Sequence, residues 1–414
     1  MAEESLNRCF NDMFETMTQD IGDFISGSRD LVGLGEADHR EPAFGEARNE
    51  IFAELVDRGF RSFALESDRV AAFGVDDYVR EGEGSLDAAM SEGFSHGFGD
   101  LDANRRLVAW MREYNEGRPP QLQAAFHGID APLEFTAESP RRYLEFGRDR
   151  LGLELDISSL TGEDERWSRT EAVMDPAESP GDTAEAERLR AIADDMLTEL
   201  YARAPELIAS TSRSAWWRTK THLTSGLGLL RYHRQAAQRI DDSARWSRLS
   251  ATRDALMAQN LLDIRDVEAR RGPTLVFAHN VHLQRTLSRM SMAGMELTWH
   301  SAGAIMDSLL GERYVFIAAG SSRLPVDQPT LEGADVVLEI SDGGAIKMRA
   351  GEFKDSAEDA QLSRDRSPVD QAPPAYAGAG SAILPDRLRP LTPWNQSKAM
   401  SILVRRCVAR VRTT

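Results

Sequence analysis

The sequence predicts an α/β fold: a mostly parallel central sheet flanked by helices, with an inserted helical subdomain. Three observations carry this expectation. Short apolar runs alternate with helical patterns at both ends of the chain. The first two runs are joined by a single helical segment, the spacing of a parallel strand–helix–strand unit. The middle of the chain, from Thr183 to Ala269, is helical in pattern throughout and contains no strand-like run.

Taken in order, the strand-like runs are Leu31 to Gly35, Ser62 to Leu65, Leu122 to Phe126, Thr274 to Ala278 and Tyr314 to Ala318. A helix is expected over Ala43 to Arg58, stopped by Gly59, and a second over Asp102 to Asn115. Residues 159–189 are acidic and carry Pro176, Pro180 and Gly181, which reads as an irregular, solvated connection. A second irregular stretch is expected over 351–380, with Pro368, Pro373 and Pro374. The expected division is 1–158 for the first part of the α/β core, 159–270 for a helical insertion or lid, and 271–414 for the rest of the core.

At 414 residues the chain is long enough to bury two or three packing units. Acidic residues outnumber basic ones, 67 to 49, for a net charge of -18. That field repels polyanions and argues against nonspecific binding to nucleic acid or to an anionic membrane. Cys9 and Cys407 make neither a disulfide framework nor a zinc-ligand spacing. The first ten residues lack the basic and apolar regions of a signal peptide, and no apolar run approaches a membrane span, so a cytoplasmic location is expected.

The chemistry gathers at the strand ends, where ligands of open parallel sheets bind. The first strand runs into Glu36 and His39, the second ends at Glu66, the third runs into His127 and Asp130, and the fourth ends at His279 with His282 following. Each has an ordinary structural reading: Glu36 as a helix cap, His39 as a loop histidine, His127 as a hydrogen-bonded core residue, His282 as a residue that orients its neighbour. Their coincidence at one sheet edge points instead to a site. Arg48 lies within the apolar stripe of Phe44, Ile51, Phe52 and Leu55, while Glu46, Glu50, Ala53 and Asp57 face the other way. A buried guanidinium needs a partner, and Glu36 or Glu66 is expected to supply it. His96, in the glycine-flanked segment SHGFG, is a candidate to line the pocket.

Several chemistries are absent from the sequence. There is no G-x-S-x-G elbow, no P-loop, no G-x-G-x-x-G opening a helix and no H-E-x-x-H. What remains is histidine and carboxylate, which suits general-base activation of water or a mixed His/Glu metal site.

The stretches GEADHREPAFGEARNEIFAELVDRGFRSFALESDRVAAFGVDDYV, LVAWMREYNEG, FHGIDAP, RDALMAQNLL, TLVFAHNVHLQR, SAGAIMDSLLGERYVFIAAG and AILPDRLRPL occur in the order of one family. With its G-E-x-x-H, A-L-E and A-H-N-x-H motifs, the sequence resembles the erythromycin esterase family. The resemblance implies an α/β core with a helical subdomain, a cleft between them, and macrolide-lactone hydrolysis without a serine nucleophile; no cofactor is expected. It carries Glu36 and His39 onto the family's acid and histidine, Arg48 onto the arginine of the next helix, Glu66 onto the second acid, and His279 and His282 onto the later pair. Two departures bear on the substrate. Arg40 stands where the family has glycine, so it narrows the cleft or binds an anionic group. SHGFGDLD replaces a tryptophan-rich segment.

The expected function is opening of a small-molecule ester or macrolide-like lactone. His39 would be the base, Glu36 would orient it, Arg48 and Glu66 would set the electrostatics, and His279 with His282 would serve the oxyanion or leaving alkoxide. His279 as base and His39 as acid is the alternative division. A tailoring enzyme of natural-product biosynthesis on the same fold, a metallohydrolase using Glu36, His39, Glu66 and His279, and a binding protein with a decayed site are the competing classes. Oligomeric state is not encoded in any motif.

Overall fold

Near-continuous apolar runs bounded by turns become strands buried on both faces. The computed structural model describes residues 21–23, 25, 29–133 and 135–351. The first four strands are β1 (Leu31–Glu36), β2 (Ser62–Asp68), β3 (Ala125–Asp130) and β4 (Thr274–His279). A two-stranded pair, β5 (Leu287–Met292) and β6 (Met295–His300), precedes β7 (Tyr314–Ser321), β8 (Val336–Ile340) and β9 (Ile346–Ala350). Seven of them form one sheet in the order β3-β2-β4-β1-β7-β8-β9, parallel except for the β8–β9 pair. The mostly parallel sheet flanked by helices is therefore the architecture found. The third strand starts three residues later than its apolar run suggests, at Ala125, and extends to Asp130.

Alternation along each strand divides the core in two. Val32, Leu34, Phe63, Leu65, Leu275 and Phe277 pack under α1 (Pro42–Asp57), α2 (Ala72–Glu81) and α3 (Asp102–Asn115). Leu31, Ala64, Val276, Ala278 and Phe316 face the opposite way. Between β3 and β4 the chain forms α4 (Arg141–Leu151), α5 (Ala184–Ala202), α6 (Arg213–Ala236) and α7 (Asp242–Glu268). Through Met257, Leu261 and Ile264, α7 covers the second sheet face, together with α8 (Ala302–Leu310). A third apolar cluster joins α4, α5 and α6.

The acidic segment 159–189 is not the solvated connection its composition suggests. Trp167, Ala172 and Val173 are fully buried in short helices, and the Trp167 indole N–H donates to the Thr161 carbonyl. Its charged residues face out while a few apolar ones anchor it to the helical cluster. The stretch expected to be irregular from 351 lies, beyond Gly351, outside the described residues, as do Cys9, Cys407 and the AILPDRLRPL motif. Among the described residues, those up to Met290 and from Glu296 onward group as one compact unit, and 291–295 fall outside it. Among the described residues no helix is long and apolar enough to cross a membrane.

The strand order sets the site. From β1 the chain moves toward β2 and β3. From β4 it crosses to β7 and β8 on the other side. The carboxyl ends of the adjacent strands β1 and β4 are thus a topological switch point, where flanking loops diverge and leave a crevice. Glu36 and His279 are direct register partners there.

Candidate active site

At the end of β1, Gly35 lets two backbones approach. A Cβ at this position would overlap the Asn280 side-chain oxygen. Asn280 uses both ends of its amide on Ala319 of β7, donating at 2.8 Å and accepting at 3.2 Å. It ties the end of β4 to β7 across β1. The clamp fixes Glu36 beside His279, and a short turn then returns His39 over both before Pro42 starts α1.

His39 donates from Nδ1 to Glu36 Oε1 at 2.7 Å. Its Nε2 lies 3.9 Å from Glu66 Oε2, beyond hydrogen-bond range. The imidazole packs on Phe98, with ring centroids 5.1 Å apart, and edge-on to His279 at 5.5 Å. Glu66 is buried and fully engaged. It accepts the His279 backbone N–H at 2.9 Å and Arg253 Nη2 at 3.0 Å, and it lies 3.4 Å from His282 Nε2.

His279 is locked differently. Val281 N–H donates to its Nδ1 at 3.1 Å, and Nε2–H donates to the Ala37 carbonyl at 3.1 Å. Both nitrogens are used by backbone, in a pattern that fits only the neutral ring. His282 donates from Nδ1 to Asp254, which also accepts Trp299 Nε1 at 2.7 Å and the Ala302 backbone N–H at 2.8 Å. Asp254 and Arg253, adjacent on α7, are thus central to the cluster.

The electrostatics follow these contacts. Glu66 is held far below the ordinary carboxylate range: burial opposes ionisation, but His282, His39 and Arg253 together outweigh it. Burial works against an imidazolium at His39, yet Glu66 and Glu36 overcome it and raise the ring to about 9. Burial raises Glu36, with His39 and Arg48 opposing. His279 falls to about 4, through burial and the neighbouring His39. His282 is raised: Asp254 and Glu66 outweigh the cost of burial.

A cavity of about 290 Å³ opens beside His39 and Glu36. Arg40, Phe98, Asp102, Asn104, Arg106 and Phe277 are among its walls. Glu66 lies beneath the cluster, and His279 faces a neighbouring depression with Ala37, Val281 and Leu324. Arg48 is buried as its place on the stripe predicts, sandwiched by Phe63 and Phe277, but the expected carboxylate partner is replaced. Its guanidinium donates to Asn104 Oδ1 at 2.7 Å and to Asn49 Oδ1 at 2.8 and 3.0 Å. Glu36 acts on it only at longer range. On the same helix, Glu50 and Ala53 are buried too rather than outward-facing.

His96 joins the cluster from a loop. Its backbone sits at a φ of 60°, and its ring lies 3.7 Å from Asp130 and near Arg253 and Phe98. Asp130 is reached through Arg253, whose Nε donates to it at 2.9 Å. His127 is not part of this group. It lies mid-strand and donates from Nε2 to Glu268 at 2.9 Å, toward the far end of α7.

Arg253, Asp254, Phe98 and Asn104 are the members that sequence reasoning passed over. The stripe logic that found Arg48 would have found Asp254, which is fully buried between Leu249 and Met257 of α7. Asn104 had no comparable signal, because an amide on a helix is ordinary. Among the described residues, no three His, Cys, Asp or Glu side chains are arranged to hold a metal ion.

A model of the family described as erythromycin esterase matches residues 55–329 of this chain. The matched span contains Glu66, Arg253, His279 and His282; Glu36, His39 and Arg48 precede it. No curated protein sequence matches. Three solved structures share the fold at low identity. A mutant of the erythromycin esterase EreC, in an open conformation, is 19% identical with a TM-score of 0.53, covering 83% of this chain and 82% of that one. A succinoglycan biosynthesis protein is 17% identical with a TM-score of 0.55, covering 73% and 68%. A protein from Bacillus cereus is 20% identical with a TM-score of 0.52, covering 73% and 70%.

Proposed function

Since this chain belongs to the erythromycin esterase family, we propose that it hydrolyses a small-molecule ester or lactone with a water activated at His39. One observation supports this above the others. His39 lines the cavity, its Nδ1 is fixed by Glu36, and its Nε2 has no hydrogen-bond partner among the described residues. His279 has both nitrogens bonded to backbone, and His282 is bonded to Asp254 through Nδ1 with Nε2 3.4 Å from Glu66.

In this reading the neutral ring takes a proton from water at Nε2 while oxygen attacks the carbonyl carbon. Glu36 holds the Nδ1–H tautomer and stabilises the imidazolium that forms. The same Nε2–H then returns the proton to the leaving alkoxide as the tetrahedral intermediate collapses. His279 keeps a neutral ring and serves as a wall and a strand-end lock, which moves the proton-transfer role assigned to it from sequence onto His39 alone. Glu66 and Arg253 keep the floor rigid and the charges balanced.

The cavity size and its charged rim favour a compact, polar ester over a full macrolide. About 290 Å³ lies at the lower edge of the ~300–1,000 Å³ usual for ligand pockets. Incubation with a macrolide lactone and with a panel of smaller polar esters and lactones tests the proposal by mass spectrometry. A mass gain of one water, abolished in His39→Gln, supports it; a mass change of another kind indicates acyl transfer or elimination in the same site.

A further inference from the structure

A second cavity, of about 630 Å³, lies beyond the edge strand β3, among α2, the start of α6 and the end of α7. It shares no lining residue with the cavity beside His39. Its walls are unusually cationic. Two arginines of this wall are paired with carboxylates: Arg218 grips Asp77, and Arg271 Nη1 lies 2.9 Å from Glu268, while Arg271 Nε is buried with no hydrogen-bond partner among the described residues.

Arg69 is different. It follows β2 directly, is 6% exposed, and lines the cavity. Its Nε and Nη1 are buried and find no hydrogen-bond partner among the described residues. The carboxylate that acts on it electrostatically, Asp263, is bound by Lys220 Nζ at 2.7 Å. A buried guanidinium with open donors is costly, and a protein keeps such a group most readily where a ligand completes it. Beside it stand Phe73 and two indoles set nearly perpendicular to each other, Trp216 and Trp217. His127, which the main site does not use, faces the same space with its Glu268 partner.

We propose that this cavity binds a small aromatic anion, a carboxylate or phosphate ester, with Arg69 as partner of the anionic head and the Trp216–Trp217 wall as platform for the ring. Charge-assisted donors suit the head, and indole faces suit the body. The site is independent of the hydrolytic reading.

Calorimetric titration of the full chain with phenyl phosphate, benzoate, inorganic phosphate and benzyl alcohol tests it. Phenyl phosphate, benzoate or both are expected to bind, and which of them does identifies the head group; benzyl alcohol is expected not to bind. Arg69→Met should weaken the anionic ligand roughly tenfold or more, and should raise the melting temperature of the free protein by removing an unpaired buried charge. Trp217→Ala should weaken phenyl phosphate or benzoate while leaving inorganic phosphate unchanged. His39→Gln should bind as the parent does. No binding of either aromatic anion, undiminished binding by Arg69→Met, or a lower melting temperature for that variant would overturn the proposal. Equal affinity for inorganic phosphate and phenyl phosphate would remove the aromatic platform from it.

Discussion

His39 illustrates how neighbours reset the titration of a single residue. Alone in a loop it would titrate near 6.5; between Glu36 and Glu66 it is lifted to about 9. If it acts as base it must first lose that proton, so kcat/KM should climb with pH up to about 9 and then level. A profile that falls through the same range instead would make the imidazolium the working form. His39→Gln should cost about two to four orders of magnitude in turnover while leaving the melting curve cooperative. Glu66, buried and bonded on every side, is expected to matter to stability instead. Glu66→Gln would leave Arg253 and His282 without their shared carboxylate. Arg253 keeps Asp130 and His282 keeps Asp254, so the loss should fall below the roughly 3–5 kcal/mol of a buried pair left without any partner, to be read from urea denaturation against the parent.

At the scale of elements, the site is made by the ends of β1 and β4 and by what clamps them. Gly35 and Asn280 do this through a contact that has no room for a methyl group. Gly35→Ala should force the two strand ends apart, at about 1–3 kcal/mol of stability. Because Glu36 follows directly, turnover should fall by more than the loss of folded protein accounts for. A variant that is destabilised yet turns over normally per folded molecule would show that the clamp serves folding alone. α7 has two jobs. Its apolar face covers the sheet, and Arg253 and Asp254 reach the cluster from one turn of that face.

For the whole molecule, the buried histidines make stability depend on pH in two directions. His222, His233 and His279 are lowered to about 4, chiefly by burial. A lowered histidine favours the neutral folded form, so its contribution is present above about 6.5 and is lost as pH falls toward 4. His39 is raised, so its contribution is full below about 6.5 and is lost as pH rises through about 9. The melting temperature should therefore peak near pH 6.5 and decline on both sides, and His39→Gln should flatten the alkaline limb. An unchanged alkaline limb in that variant would mean that the cluster does not hold His39 protonated. The deep depression of Glu66 adds to the acid side, where its stabilising charge is lost as pH falls below the ordinary glutamate range.

By itself the sequence determined the elements whose signal is local. Apolar runs ending in Glu36, Glu66 and His279 marked three strands and the polar residues at their ends, and Arg48 on the stripe of α1 marked a buried charge. Burial of an apolar run and helical periodicity are properties of neighbouring residues, so they survive without a partner in view. Tertiary structure alone decided the rest. It gave Arg48 the amides of Asn49 and Asn104 instead of a carboxylate, sent His127 to Glu268, and brought Arg253 and Asp254 more than a hundred residues along the chain from β3 into the cluster. It also separated His39 from His279, two similar residues at adjoining strand ends, by leaving Nε2 of one without a hydrogen-bond partner among the described residues and tying both nitrogens of the other to backbone. Hydrogen-bond partners and charge environments are set by strand order and loop return across the sheet. No residue carries that information in its own identity or spacing.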